Sequence, residues 1–199
     1  PCFVLDLTAT PKKESNIISY VDAVQLKNEH MVKLPVIVYN RDSQSEVLID
    51  AIDLRNKLEK IASAEYAKTG KYIRPIALFQ AQPKGKEDAT TFEKLRDKLV
   101  DKGIPAEQIA IRTADVNELK NTDLMSPSCP IRYIITVNAL KEGWDCPFAY
   151  ILASLANKTS QVDVEQILGR ILRLPHTSQH TQSALNMSYV LTSSNDFNN

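Results

Sequence analysis

The feature that most constrains the fold is a repeated alternation. Short, continuously apolar runs of strand length are separated by longer segments with helical spacing. Leu34–Tyr39 (LPVIVY), Ile73–Ala81 (IRPIALFQA), Ile109–Ile111, Ile131–Asn138 (IRYIITVN), Phe148–Leu155 and Met187–Thr192 read as strands. Between the first two, Val47, Leu48, Ala51, Leu54, Leu58, Ile61 and Ala62 recur at helical spacing across residues 44–68. A charged amphipathic helix is expected over 87–102, through Phe92, Leu95, Leu99 and Val100, stopped by Gly103, and a further helix over 160–173. Strands without polar alternation are buried on both faces, and intervening helices supply the crossovers that parallel pairing needs. The expected fold class is therefore α/β, a mainly parallel central sheet covered by helices on both faces, with working residues at the carboxyl ends of strands.

The flanks are less regular. Phe3–Leu7 has a strand look and stops at Thr8-Ala9-Thr10-Pro11, residues 12–16 read as a linker, and 17–32 contain helical stretches of mixed character. The chain opens on Pro1 and reads as a piece of something longer. Ser193–Asn199 is expected to fray.

Charge excludes one class of behaviour. Lys+Arg and Asp+Glu are 24 each, so no bulk basic field exists to attract nucleic acid. Any such contact must come from a few placed residues. The 3 cysteines, Cys2, Cys129 and Cys146, form no CxxC and none is followed by His at zinc spacing, which fits a reducing, cytoplasmic compartment. No apolar run is long enough for a bilayer.

The sharpest local signal is Gln161–Pro175, QVDVEQILGRILRLP. On a helix, with Gln166 at zero, Arg170 falls at roughly +40° and Arg173 at roughly −20°, while Val164, Ile167, Leu168, Ile171 and Leu172 spread over roughly +100° to +240°. One side suits a core and the other presents an amide with two guanidiniums. Neighbouring arginines repel, and Gly169 inside a helix costs about 1 kcal/mol relative to alanine. An anion and a close-packed neighbour in the working state would explain both. A phosphate is such an anion, and fixed guanidiniums stabilise the charge on a transferring phosphoryl group. The segment alone is equally compatible with a surface helix carrying two solvated arginines.

A second signal, Asn138–Pro147 (NALKEGWDCP), follows a strong strand. Gly143 permits a tight turn, Trp144 can wall a pocket, Asp145 can accept from a ribose hydroxyl or cap a turn, and Pro147 fixes the exit. Alone, it also reads as an ordinary turn between strands.

Together and in this order, the two segments resemble motifs V and VI of superfamily 2 helicases and translocases. Thr8-Ala9-Thr10-Pro11 looks like motif III, which ends the first lobe, and Ile76–Gln80 (IALFQ) looks like the motif IV strand that opens the second. ALKEGWDCP with QILGRILRLP is most similar to the Res subunits of Type III restriction enzymes. The resemblance implies a RecA-like, three-layer α/β/α domain of the P-loop NTPase type, with residues 1–16 ending one motor lobe and 17–199 forming the next. It implies that Arg173 and Arg170 face the γ-phosphate of ATP, Arg173 as the finger, and that Gln166 contacts the phosphate or attacking water. Gly143 and Asp145 would lie near the ribose, Thr8 and Thr10 would couple ATP to the track, and Phe79, Gln80, Val137 and Asn138 would border the nucleic-acid backbone. ATP and Mg2+ would be the cofactors of the longer protein, with neither bound by this piece alone. Its partners would be double-stranded DNA, an N-terminal RecA-like lobe in cis and a modification (methyltransferase) subunit.

The departures are informative. No G-x-x-x-x-G-K-[ST] occurs, since Gly70-Lys71 and Gly85-Lys86 are followed by Tyr72 and Glu87, and no Asp-Glu pair of the magnesium-binding kind follows a strand. Position 142 is Glu, where some helicase branches carry Arg, so no phosphate contact is expected there. Half the ATP site, and any nuclease, would lie elsewhere, and the piece alone is expected to be inactive. A non-catalytic RecA-like docking module, another DNA motor of the Type I restriction or repair kind, and an unrelated α/β nucleotide or sugar-phosphate enzyme remain as alternatives. His30, His176 and His180 lack partner ligands for a metal, Cys146 lacks a histidine to activate it, and the charge run Lys84–Lys98 reads as a solvated helix face.

Overall fold

A computed structural model of the 199-residue chain describes residues 16–17, 19–83, 90–137, 146–155, 168–169 and 171–193. Its elements are α1 (Ala23–Asn28), β1 (Val36–Asn40), α2 (Gln44–Thr69), β2 (Ile76–Gln80), α3 (Phe92–Asp101), β3 (Ile109–Ile111), β4 (Tyr133–Thr136), β5 (Ala149–Ser154) and β6 (Ser188–Thr192). The strands form one 6-stranded sheet in the order β1-β6-β5-β2-β4-β3, and every neighbouring pair is parallel. The chain is thus an α/β protein with an all-parallel sheet. The expected strands from Leu34 onward are present, with bounds that match or shift by one to three residues. Phe3–Leu7 lies outside the described residues.

Burial follows from sheet position. Every residue of β2, β4, β5 and β6 is buried, as a strand between two neighbours and covered faces requires. Strand β1 is an edge, and Val38 at its centre is exposed.

Crossovers in a parallel sheet are right-handed. The steps β1→β2 and β2→β3 run in one direction across the sheet, so α2 and α3 share a face. They line a common cleft through Gln44, Ser45 and Leu48 on one and Lys98, Asp101 and Lys102 on the other. Helix α2 starts where the Ser43 hydroxyl accepts from the Glu46 N–H and stops at Gly70, whose φ of 72° is left-handed. Its buried stripe is Val47, Leu48, Ala51, Arg55, Leu58, Ala62 and Glu65. Two of these are charged, which apolar spacing alone does not reveal. Among the described residues α3 begins at Phe92 rather than near 87, because the Thr91 hydroxyl caps it.

The expected helix over 160–173 needs a correction. Its described part is helical at Leu168, Gly169 and Ile171, closed by Leu172 N–H donating to Leu168 O at 3.0 Å. Arg173 is extended, in an antiparallel bridge with Val32. The cause is twofold. Pro175 disfavours helical geometry at Leu174, which has ψ of 127°. The backbone of Met31 and Lys33 then takes the bonds that a further helical turn would have made, with Lys33 N–H donating to Leu172 O at 2.5 Å and Leu174 N–H to Met31 O at 2.9 Å.

Phe79 is fully buried at the centre of β2, its ring 6.3 Å from that of Tyr133. Phe79→Ala is therefore expected to lower stability by roughly 3–5 kcal/mol through lost packing and a residual cavity. Equilibrium urea denaturation measures this, and a loss under about 1 kcal/mol would contradict the interior placement.

Candidate functional site

A parallel sheet has two chemically distinct edges. At the carboxyl edge lie Asn40, Gln80, Ile111, Thr136, Ser154 and Thr192, and at the amino edge Val36, Ile76, Ile109, Tyr133, Ala149 and Ser188. The sequence-predicted residues that are described divide between them.

At the carboxyl edge, Gln80 is turned inward. Its side-chain oxygen accepts from the Ser154 hydroxyl at 3.0 Å, and its backbone carbonyl accepts from Leu155 N–H. Val137 is half-buried against the core just beyond β4. Two of the predicted nucleic-acid contacts, Phe79 and Gln80, are corrected accordingly. Phe79 is an interior residue, and Gln80 ties β2 to β5, because a central strand has no solvent-facing side.

Around them is a polar lattice. The Gln44 and Gln82 amides both donate to Leu155 O at 2.9 Å, Gln82 pairs with the Thr90 backbone, and the Thr90 hydroxyl donates to Gln44 at 3.0 Å. The neighbouring cleft between α2 and α3 has a volume of about 220 Å³. That is below the roughly 300–1,000 Å³ of small-molecule sites.

The amino edge, not the carboxyl edge expected for working residues, holds Arg173. Its side chain is exposed, and its backbone carbonyl accepts a hydrogen bond from a lysine that is completely buried. The Lys33 ammonium donates to Pro147 O at 2.7 Å, Ala149 O at 2.9 Å and Arg173 O at 2.8 Å, and lies 4.4 Å from the Tyr150 ring centre. Pro147 ends the NALKEGWDCP segment, and Arg173 stands two residues before the end of QVDVEQILGRILRLP. The described ends of both segments therefore meet at one ammonium. Gly143, Asp145 and Asn138 of the first segment, Gln166 and Arg170 of the second, and Thr8 and Thr10 lie outside the described residues.

Gly169, four residues before Arg173, is also exposed, and a Cβ built on it would meet nothing within 4 Å. Cys146, next to Pro147, is buried, and its thiol is pushed up to about 11 by burial, against the pull of Lys33. It is a packed thiol rather than a nucleophile at neutral pH. Among the described residues, no three His, Cys, Asp or Glu side chains are grouped as metal ligands.

Sequence reasoning missed the buried ions of this edge. Besides Lys33, Arg74 is fully buried, donates to the Leu124 and Ser126 carbonyls, and sits 5.8 Å from the Phe148 ring centre. Arg132 lies beside it and is held below its ordinary value by burial, with Glu59 opposing and Arg74 and Arg55 reinforcing the shift. The available signal was a lone cation inside an apolar run, in Met31-Val32-Lys33-Leu34 and Ile73-Arg74-Pro75-Ile76.

A third buried group joins α2 to the segment before β6. Glu65 accepts from Thr181 N–H at 2.9 Å and from the Thr181 hydroxyl, and His180 Nδ1 lies 3.8 Å away. Burial holds the His180 imidazole below its ordinary value, against the pull of Glu65. Burial alone would raise the Glu65 carboxyl, but the Thr181 and Gln182 bonds and His180 hold it below its ordinary value. Both folded values are depressed, so both contributions are complete above the unfolded values and are lost on acidification. The His180 part starts to fade below about pH 6.5, and the Glu65 part below about pH 4.5. The urea midpoint is thus expected to fall as pH drops from 7 to 5, and to fall less in His180→Gln. Parallel pH profiles for the two proteins would contradict this.

No family model matches the chain, and no curated protein is similar enough to stand as a relative.

Proposed function

We propose that this chain is the second RecA-like lobe of an ATP-dependent DNA translocase or helicase of superfamily 2, of the kind found in the Res subunits of Type III restriction enzymes. The observation that carries the reading is the junction at Lys33. One ammonium joins the backbone ends of the two segments that resemble motifs V and VI. An ATP site shared between lobes needs those segments side by side at a surface. The exposed Arg173 side chain and the open space at Gly169 suit a surface that meets another lobe. The all-parallel α/β sheet is compatible with a RecA-like lobe.

On this reading, bound ATP with Mg2+ supplies the phosphoryl group that is transferred to water, and the cradle for both belongs to the partner lobe. Arg173 supplies a fixed positive charge to the developing negative charge on the phosphoryl oxygens, with Arg170 beside it and Gln166 contacting phosphate or water. Asp145 and Gly143 serve the ribose. Closure of the cleft around ATP and its opening after hydrolysis would step the lobes along duplex DNA.

Two substitutions test this. In the ATP-hydrolysing protein that carries this chain, Arg173→Ala is expected to lower DNA-stimulated kcat by roughly 10³–10⁵. Near-normal turnover would remove the catalytic role and favour a docking module that keeps only the fold. Gly169→Ala should raise the stability of this chain by roughly 0.5–1 kcal/mol, since a helical Cβ there meets nothing. In the complete motor it should slow turnover instead, because the partner lobe needs that space. A stabilised variant with unchanged DNA-stimulated turnover would argue against a neighbour at this face.

A further inference from the structure

We propose that Lys33 is the positioning residue of the Arg173 guanidinium, and that the segment before β1 sets where that arginine stands. The inference rests on the motor reading above and adds to it a residue outside every helicase-like segment.

The geometry is over-determined at one point of the chain. An ammonium has three N–H donors. Lys33 spends them on carbonyls of Pro147, Ala149 and Arg173 at 2.7, 2.9 and 2.8 Å. Lys33 N–H holds Leu172 O and Met31 O holds Leu174 N–H, so the peptides on both sides of Arg173 are also fixed. The backbone of Arg173 is left with almost no freedom. Ala149 opens β5, a strand buried throughout, so the frame of reference is the rigid sheet. Burying a cation is costly, and a site that served packing alone would be better filled by an apolar side chain. The retained charge makes sense where the carbonyls of separate segments must be held at one spot.

Catalytic groups must be held within about 0.5 Å of their working position, and an error near 1 Å costs on the order of 100-fold in rate. A lysine does this better than an arginine here, because its donors radiate from one atom while a guanidinium presents a planar fork. Residues 31–33 continue from α1, a helix with no buried residue, and lie upstream of β1. Movement of that segment would be passed to Arg173 through the same hydrogen bonds.

The test uses the complete ATP-hydrolysing protein, with DNA, at a temperature where circular dichroism shows each variant folded. Lys33→Met is expected to lower kcat 10- to 100-fold with KM for ATP within about twofold. In an Arg173→Ala background, single-turnover hydrolysis should show no further loss, because the group being positioned is gone. A purely structural lysine would cost the same in both backgrounds, and that result overturns the proposal, as does a kcat for Lys33→Met within twofold of the parent. If Lys33→Met does not fold, Lys33→Arg, which keeps the charge but not the convergence of donors, is read by the same two comparisons. An inactive Arg173→Ala with an unaffected Lys33 variant sinks the positioning role alone. An active Arg173→Ala sinks the motor reading beneath it.

Discussion

A fully buried ammonium organises the amino edge of this sheet. Moving an ammonium out of water costs several kcal/mol unless its donors are met. Lys33 meets that cost with three carbonyls and the face of Tyr150. The partners come from two stretches of chain, Pro147–Tyr150 and Arg173, so the requirement to satisfy one ion becomes a requirement that distant segments converge. Remove the ion and the carbonyls of Pro147 and Arg173 have no shared reason to lie together. The helix-like segment that ends at Ile171 is then fixed in its exit direction by Met31 and Lys33, and Arg173 emerges in extended backbone at the surface.

The sheet separates two kinds of chemistry. At its carboxyl edge, amides and hydroxyls form a lattice in which Gln44, Gln82 and Thr90 bind one another and the carbonyl of Leu155. Its amino edge gathers cations, with Lys33 and Arg74 wholly inside and Arg132 and Arg173 nearer the surface. Neutral overall charge therefore hides a strong local arrangement. Arg173 stands apart from Gln80 and Val137 by the length of the strands. A nucleotide contact and a track contact assigned to these residues would not share one pocket, and coupling between them would have to run through β4, β5 and their connections.

Much of the architecture was legible because it depends on local pattern. Runs such as IRYIITVN and Phe148–Leu155 are too apolar for a sheet with a wet face, so parallel strands and crossover helices follow from burial alone. The start and stop of α2 are visible in Ser43 and Gly70, and its core stripe in Val47, Leu48, Ala51, Leu58 and Ala62. The site was legible only in part. Spacing put Arg173 on a helical stripe, but helical periodicity assumes that the helix continues, and Pro175 with a competing backbone partner at Met31 ended it sooner. Phe79 and Gln80 sit in a strand whose end the helicase resemblance puts beside the nucleic-acid backbone. The order of strands places it in the middle of the sheet, where nothing outside can reach the ring of Phe79.

The amino-acid sequence by itself determined the α/β class, the parallel pairing and the residue types gathered in the two motif-like segments, because hydrophobic period and turn chemistry act over a few residues. Tertiary structure decided what those residues stand next to. The strand order, the junction of Pro147 with Arg173 and the burial of Lys33, Arg74, Glu65 and His180 join positions as many as 155 residues apart. Such contacts are set by which buried polar group must find a partner once the core has closed, and no local pattern along the chain carries that information.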